Sequence, residues 1–137
     1  MGFVLDLFYN AFIWLCLVKI AFARYYPKDI LLYSASNDNV GGYIGYTFPS
    51  AVAIKKVMLY NYTTNQSIIT KFKLQGSNGT WTDIGTEQNA TTGVNNYNYP
   101  SNNTTYTSHR VYCTAYASGG ANNLNVWELQ FYGRQDV

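Results

Sequence analysis

The chain has 137 residues and a formal charge of +2, with 12% charged and 18% aromatic side chains. That length fits one domain with one core, at about half the roughly 25% of charged residues usual in soluble proteins. A charge this small and scattered makes no case for nucleic acid, and one histidine with two cysteines in no ligand spacing makes none for zinc. Fourteen tyrosines with abundant Asn and Thr stand in for the missing charges, giving a surface that binds through hydrogen bonds and aromatic faces. The acidic residues are spread singly and His109 has no Ser–Asp partnership, so no carboxylate pair, triad or metal supports catalysis. The chain reads as a non-enzyme.

Residues 1–30 form an apolar N-terminal segment and residues 31–137 a second unit. Residues 3–23 are nearly all apolar, interrupted by Asp6, Asn10 and Lys19, and close on Ala21-Phe22-Ala23. Three readings stay open. The ending resembles a signal-peptidase site, which would start the mature chain at Arg24. A membrane anchor has the length but must accommodate Asp6 and Lys19. A retained arm or helix would instead pack on a neighbouring subunit through Phe3, Phe8, Phe12, Trp14 and Leu15.

From residue 31 the pattern is strands and turns. Ile44, Tyr46 and Phe48 alternate onto one face, and Val52–Tyr60 is a β-branched and aromatic run. Lys55-Lys56, the one local basic cluster, reads as a strand edge meeting solvent. In KFKLQGSNGTWTDIG, Phe72 and Leu74 alternate with polar residues, and Asn78-Gly79 suits a two-residue hairpin turn that sets them against Trp81. Val111, Cys113 and Ala115 form one face of a later strand, and Trp127, Leu129 and Phe131 that of the last. Trp81 and Trp127 are expected in the core. A Cys16–Cys113 disulfide stays open. Period-two alternation with closely spaced turn signals predicts an all-β antiparallel sandwich or barrel.

Between Thr86 and Ser108 the sequence becomes a long polar stretch, TEQNATTGVNNYNYPSNNTTYTS. Loops of that length are usually functional or mobile. Tyr97, Tyr99 and Tyr106, with Asn95 and Asn96, are the candidate ligand residues. The competing reading is a solvated connector whose tyrosines lie flat on the sandwich. Asn-x-Ser/Thr sequons begin at Asn61, Asn65, Asn78, Asn89, Asn102 and Asn103.

FKLQGSNGTWTDIG, the later HRVYCTAYASGGANNLNVWELQFYGR and the upstream GGYIGYTFPSAVAIKKVMLYN together resemble the discoidin family, also called F5/8 type C or galactose-binding-like domains. The resemblance spans about residues 33–134. It implies an eight-stranded antiparallel jelly-roll sandwich, preceded here by the apolar arm or helix. It also implies a non-catalytic module whose loops at one end hold cell-surface sugars, phospholipid head groups or proteins. Glu128 stands where the family's C-terminal acidic side chain supports a calcium ion, and Asp38 with Asn37 and Asn39 could add oxygens. The family's Asp-Gly calcium loop has no counterpart here, and Asn10-Ala11-Phe12 echoes only its first letters. His109 and Arg110, adjacent on a strand, point to opposite faces and do not form the fucose-binding arrangement of some relatives.

Two functional readings follow. In one, the module is extracellular or on a virion surface and recognises glycans through its loops. In the other it is a structural subunit of a viral (phage) or extracellular assembly, oligomeric or embedded, docked through the N-terminal segment, with membrane contact through residues 3–23 as a further possibility.

Overall fold

The computed structural model describes residues 2–10, 15–20, 33–36, 40–61, 68–117 and 126–135. Every regular element among them is a strand: β1 (Gly2–Asn10), β2 (Leu15–Ile20), β3 (Tyr33–Ser36), β4 (Tyr43–Asn61), β5 (Ile69–Ser77), β6 (Trp81–Asn89), β7 (Gly93–Asn98), β8 (Tyr106–Tyr116) and β9 (Val126–Gln135). They pair antiparallel in one curled sheet, in the order β2-β1-β9-β4-β8-β5-β6, with β3 and β7 both on β4.

β4 organises the sheet. Tyr43–Thr47 pairs with β8 and, over Tyr43–Tyr46, with β3, whereas Lys56–Asn61 lies between β7 and β9. The pairing with β8 slips between Thr47 and Val52, a stretch that contains Pro49. Proline lacks the N–H that a continuous ladder would use. A strand that changes neighbours part-way turns the sheet over on itself. Its two halves then share one core. Ile44, Tyr46, Phe72, Leu74, Val111 and Cys113 from one half meet Val57, Leu59, Leu129 and Phe131 from the other. Burying each large side chain of this kind contributes about 1.5–3 kcal/mol.

The apolar N-terminal segment is strand where it is described. β1 pairs with β9, placing Leu5 opposite Phe131 and Leu7 opposite Leu129, and β2 pairs with β1. Phe3 and Phe8 lie in β1 and Leu15 in β2, while Phe12 and Trp14 lie outside the described residues. Among the described residues no helix is long and apolar enough to cross a membrane.

Three expectations need correction. Ser77 pairs with Trp81 and Leu74 with Ile84, so the hairpin turn holds Asn78, Gly79 and Thr80 rather than two residues. Gly79 takes φ +135°, a region natural only to glycine. Trp81 is 37% exposed instead of buried. Ile84 takes the inward place opposite Leu74, and Trp81, three positions away, falls on the other face. The side chain of Trp127 lies outside the described part. The polar stretch from Thr86 is not one loop, because it holds the end of β6 and all of β7, which pairs with Lys56–Asn61. Cys113 is a free buried thiol, pushed up to about 11 by burial.

Candidate functional site

Among the described residues β6 has a strand neighbour on one side only. Beside it, facing the chain from Asn98 to Tyr106, is a cleft of about 500 Å³. β6 contributes Asp83, Ile84, Gly85, Thr86 and Gln88, and the opposite wall is Asn98, Tyr99, Pro100, Ser101, Asn102, Thr104 and Tyr106.

The wall is held by hydrogen bonds that begin in β4. The Tyr99 N–H donates to the Lys55 carbonyl at 2.7 Å, and the Asn102 N–H to the Tyr99 carbonyl at 3.1 Å. Asn102 Nδ2 donates to the Ile54 carbonyl at 2.9 Å. Lys55 is not a solvent-facing strand-edge cation. Its ammonium donates to the Pro100 carbonyl at 3.2 Å, to Asn103 Oδ1 at 2.8 Å and to the Asn102 carbonyl. Three donors meet three acceptors, and the turn closes around the charge. At the other end Asn78 bridges the hairpin turn to β8: its Nδ2 donates to the Thr105 carbonyl at 3.0 Å and its Oδ1 accepts from the Thr107 N–H at 2.9 Å.

Two glycines make room for the aromatic walls. Gly85 has φ +71°, and a Cβ there would sit 3.2 Å from the Tyr99 ring. A Cβ on Gly76 would come within 2.2 Å of the Tyr106 ring. Glycine is the residue that tolerates such close approach.

The candidate residues separate. Tyr99 and Tyr106 line the cleft. Tyr99 is 6% exposed, and its hydroxyl finds no hydrogen-bond partner among the described residues. Burial, with the neighbouring Tyr97 phenol, raises its pKa well above the usual phenol value. Tyr97 packs edge-on against Phe72 at 4.8 Å and donates its hydroxyl to the Asn89 carbonyl at 2.7 Å; burial pushes it up to about 12. Asn95 is a staple. Its Nδ2 donates to the carbonyls of Thr91 and Gly93 at 2.9 and 3.0 Å, and its Oδ1 accepts from the Thr91 N–H at 3.0 Å. Asn96 is exposed on the opposite side of β7. Tyr97, Asn95 and Asn96 therefore do not join Tyr99 and Tyr106 in the cleft walls. Reasoning from sequence missed Gln88, Asn98, Ser101 and Asn102, for which no motif gives a signal.

Asp83 is the one carboxylate among the lining residues, and it is already engaged. It accepts from Gln75 Nε2 and from Lys73 Nζ, each at 2.7 Å, and these bonds, Gln75 first, lower its pKa. Glu128 accepts from Gln130 Nε2 at 2.6 Å, and Asp38 lies outside the described residues. Among the described residues no three His, Cys, Asp or Glu side chains converge on a metal site. Of the sequon asparagines, Asn61 is buried and donates its amide to the Ile69 and Thr91 carbonyls at 2.9 and 2.8 Å. Asn65 lies outside the described residues.

No family model matches the chain, and no curated protein does. Among solved structures, recombinant discoidin II of Dictyostelium discoideum is similar, with TM-score 0.57 and 13% identity over 85% of this chain and 48% of that one. A chitosan-binding module from a chitosanase/glucanase of Paenibacillus sp. IK-5 matches with TM-score 0.51 and 18% identity, over 74% of this chain and 75% of that one. The chain spans about half the length of discoidin II. The fold is thus all-β and discoidin-like, as the hairpin and the closing strand led one to expect.

Proposed function

We propose that the chain is a non-catalytic binding module that holds a neutral saccharide in the cleft between β6 and residues 98–106. The observation that carries the reading is the chemistry of the walls. Gln88, Asn98, Ser101 and Thr104 supply amides and hydroxyls, Tyr99 and Tyr106 supply aromatic rings, and Asp83 is spoken for. Neutral sugars offer many hydroxyls and no charge, and sites for such ligands combine apolar walls with a few placed polar groups. The similar fold of a module named for chitosan binding supports a saccharide of some kind as the ligand. On this reading the protein works outside the cell or on a virion surface, where such sugars are displayed. The test is titration of the full chain with a panel of neutral oligosaccharides, alongside Asn98→Ala and Ser101→Ala. Each lost hydrogen bond should weaken binding roughly three- to tenfold. A folded protein silent across the panel, or one indifferent to both substitutions, overturns the proposal.

One observation favours an assembly role beside it: among the described residues β2 has a strand on only one side, and an open edge can pair with another chain. Deleting residues 1–23 should then dissociate a full-length oligomer, and a monodisperse full-length monomer rejects the idea.

A further inference from the structure

The misplaced indole points to a second surface. The registers of β4, β8, β5 and β6 bring Tyr43, Tyr112, Arg110, Gln75 and Trp81 to one face of the sheet. Ile44, Val111 and Leu74, at alternate positions, take the core face. On the outer face the Arg110 guanidinium carbon lies 4.0 Å from the centroid of the Trp81 ring, 4.8 Å from Tyr112 and 5.0 Å from Tyr43. Arg110 Nε donates to Gln75 Oε1 at 2.8 Å. The side chain is fixed before any ligand arrives.

Among the described residues no carboxylate answers its charge. Among the described residues the ion pairs are Lys71–Glu87 and Lys73–Asp83, and Arg110 is in neither. Asp83, the acid nearest in register, is held by Lys73 and Gln75. The Nε bond uses one edge of the guanidinium, and the two Nη groups keep the fork that matches a carboxylate. Trp81, on an edge strand, is 37% exposed. An oriented cation with rings around it suits a ligand that joins an anion to a flat C–H face.

We propose that this face binds a carboxylated saccharide of the uronic-acid type. Its carboxylate takes the Arg110 Nη fork, and its pyranose face lies on the rings beside it. The site is independent of the cleft, where the nearby cation, Lys55, is consumed by carbonyl and amide oxygens. The test is calorimetric titration of the full chain with an oligogalacturonate and with the same oligosaccharide after its carboxyls are reduced. The acid should bind at least about tenfold more tightly, with a preference that shrinks as salt is added. Arg110→Gln and Arg110→Lys should both remove the preference, because lysine keeps the charge without the fork. Trp81→Ala, at an exposed edge, should weaken both forms while the domain stays folded, which keeps the test sound if an Arg110 variant fails to fold. Asn98→Ala, in the cleft, should leave the acid binding intact. Equal binding of the two forms, a preference surviving Arg110→Gln, or one lost in Asn98→Ala overturns the proposal.

Discussion

His109 Nε2 lies 2.9 Å from the carbonyl oxygen of Val52 and 3.1 Å from that of Tyr106. Val52 is where β4 leaves β8 and takes up β9, so the ring ties the corner of the sheet to both halves. Two carbonyl partners require the proton on Nε2. Nδ1 is buried and finds no partner among the described residues. The rings of Phe48, Tyr106 and Phe131 surround the imidazole.

That enclosure makes the fold sensitive to acid. Burial lowers the His109 pKa from 6.5 to about 4, against the smaller opposing effect of the two carbonyls. Between those values the unfolded chain takes up a proton that the folded chain refuses. The stabilisation is whole above about pH 6.5 and is lost as the pH falls toward 4, by roughly 3 kcal/mol in all. Urea midpoints measured across that range should fall for the natural chain and be flatter for His109→Gln. Parallel profiles would contradict the account.

How far the sequence could be read depends on where alternation survives. Ile44, Tyr46 and Phe48, then Phe72 and Leu74, and finally Leu129 and Phe131 are buried as their period-two spacing predicts, because each sits in a strand with one face on the core. β7 was not legible: in GVNNYN the apolar letters fall on opposite sides, Val94 59% exposed and Tyr97 packed on the core. Trp81 went astray by one turn residue, which reverses a strand's faces. Tyr99 and Tyr106 were found as candidates because aromatics in a polar run are conspicuous. Their cleft partners were not, since an Asn that lines a wall looks the same as an Asn that staples a turn.

Lys55 is a case with no local signal, since its acceptors lie more than forty residues away. Lys55→Met keeps the stem and removes the ammonium. It should destabilise the domain by about 1.5–3 kcal/mol, the scale for hydrogen bonds to a charged group. The Asn102 amide, which donates to the Tyr99 carbonyl, should exchange faster. Lys56→Met removes a contact 4.8 Å above the Tyr132 ring and should cost no more than about 1 kcal/mol. Denaturant midpoints and amide exchange of the two variants check the order.

Gly45 separates space from conformation. A Cβ there would lie 2.5 Å from the His109 carbonyl oxygen and 2.7 Å from the Arg110 Cβ, so Gly45→Ala must push β4 and β8 apart. The expected cost is about 1–3 kcal/mol. At Gly79 nothing lies within 4 Å of the added carbon, and Gly79→Ala pays only for the positive φ, about 1–2 kcal/mol. Melting temperatures should fall further for Gly45→Ala, and Arg110 should be displaced in that variant alone, read by a change in Trp81 fluorescence.

Tyr97 and Tyr99 differ in what their hydroxyls do, and removing each oxygen exposes the difference. Tyr97→Phe keeps the edge-on contact with Phe72 and loses the bond to the Asn89 carbonyl, at about 0.5–1.5 kcal/mol of stability. Tyr99→Phe removes a buried hydroxyl that has no partner among the described residues, so stability should hold or rise by up to about 1 kcal/mol. Neither change should weaken saccharide binding: the Tyr97 hydroxyl is given to the backbone, and the Tyr99 hydroxyl is buried, so only the Tyr99 ring is offered to the cleft. Unfolding midpoints and saccharide titrations on both variants give four numbers. Stability lost at Tyr97 and kept at Tyr99, with affinity kept in both, is the pattern the geometry requires, and affinity lost at Tyr97 alone would move the ligand out of the cleft.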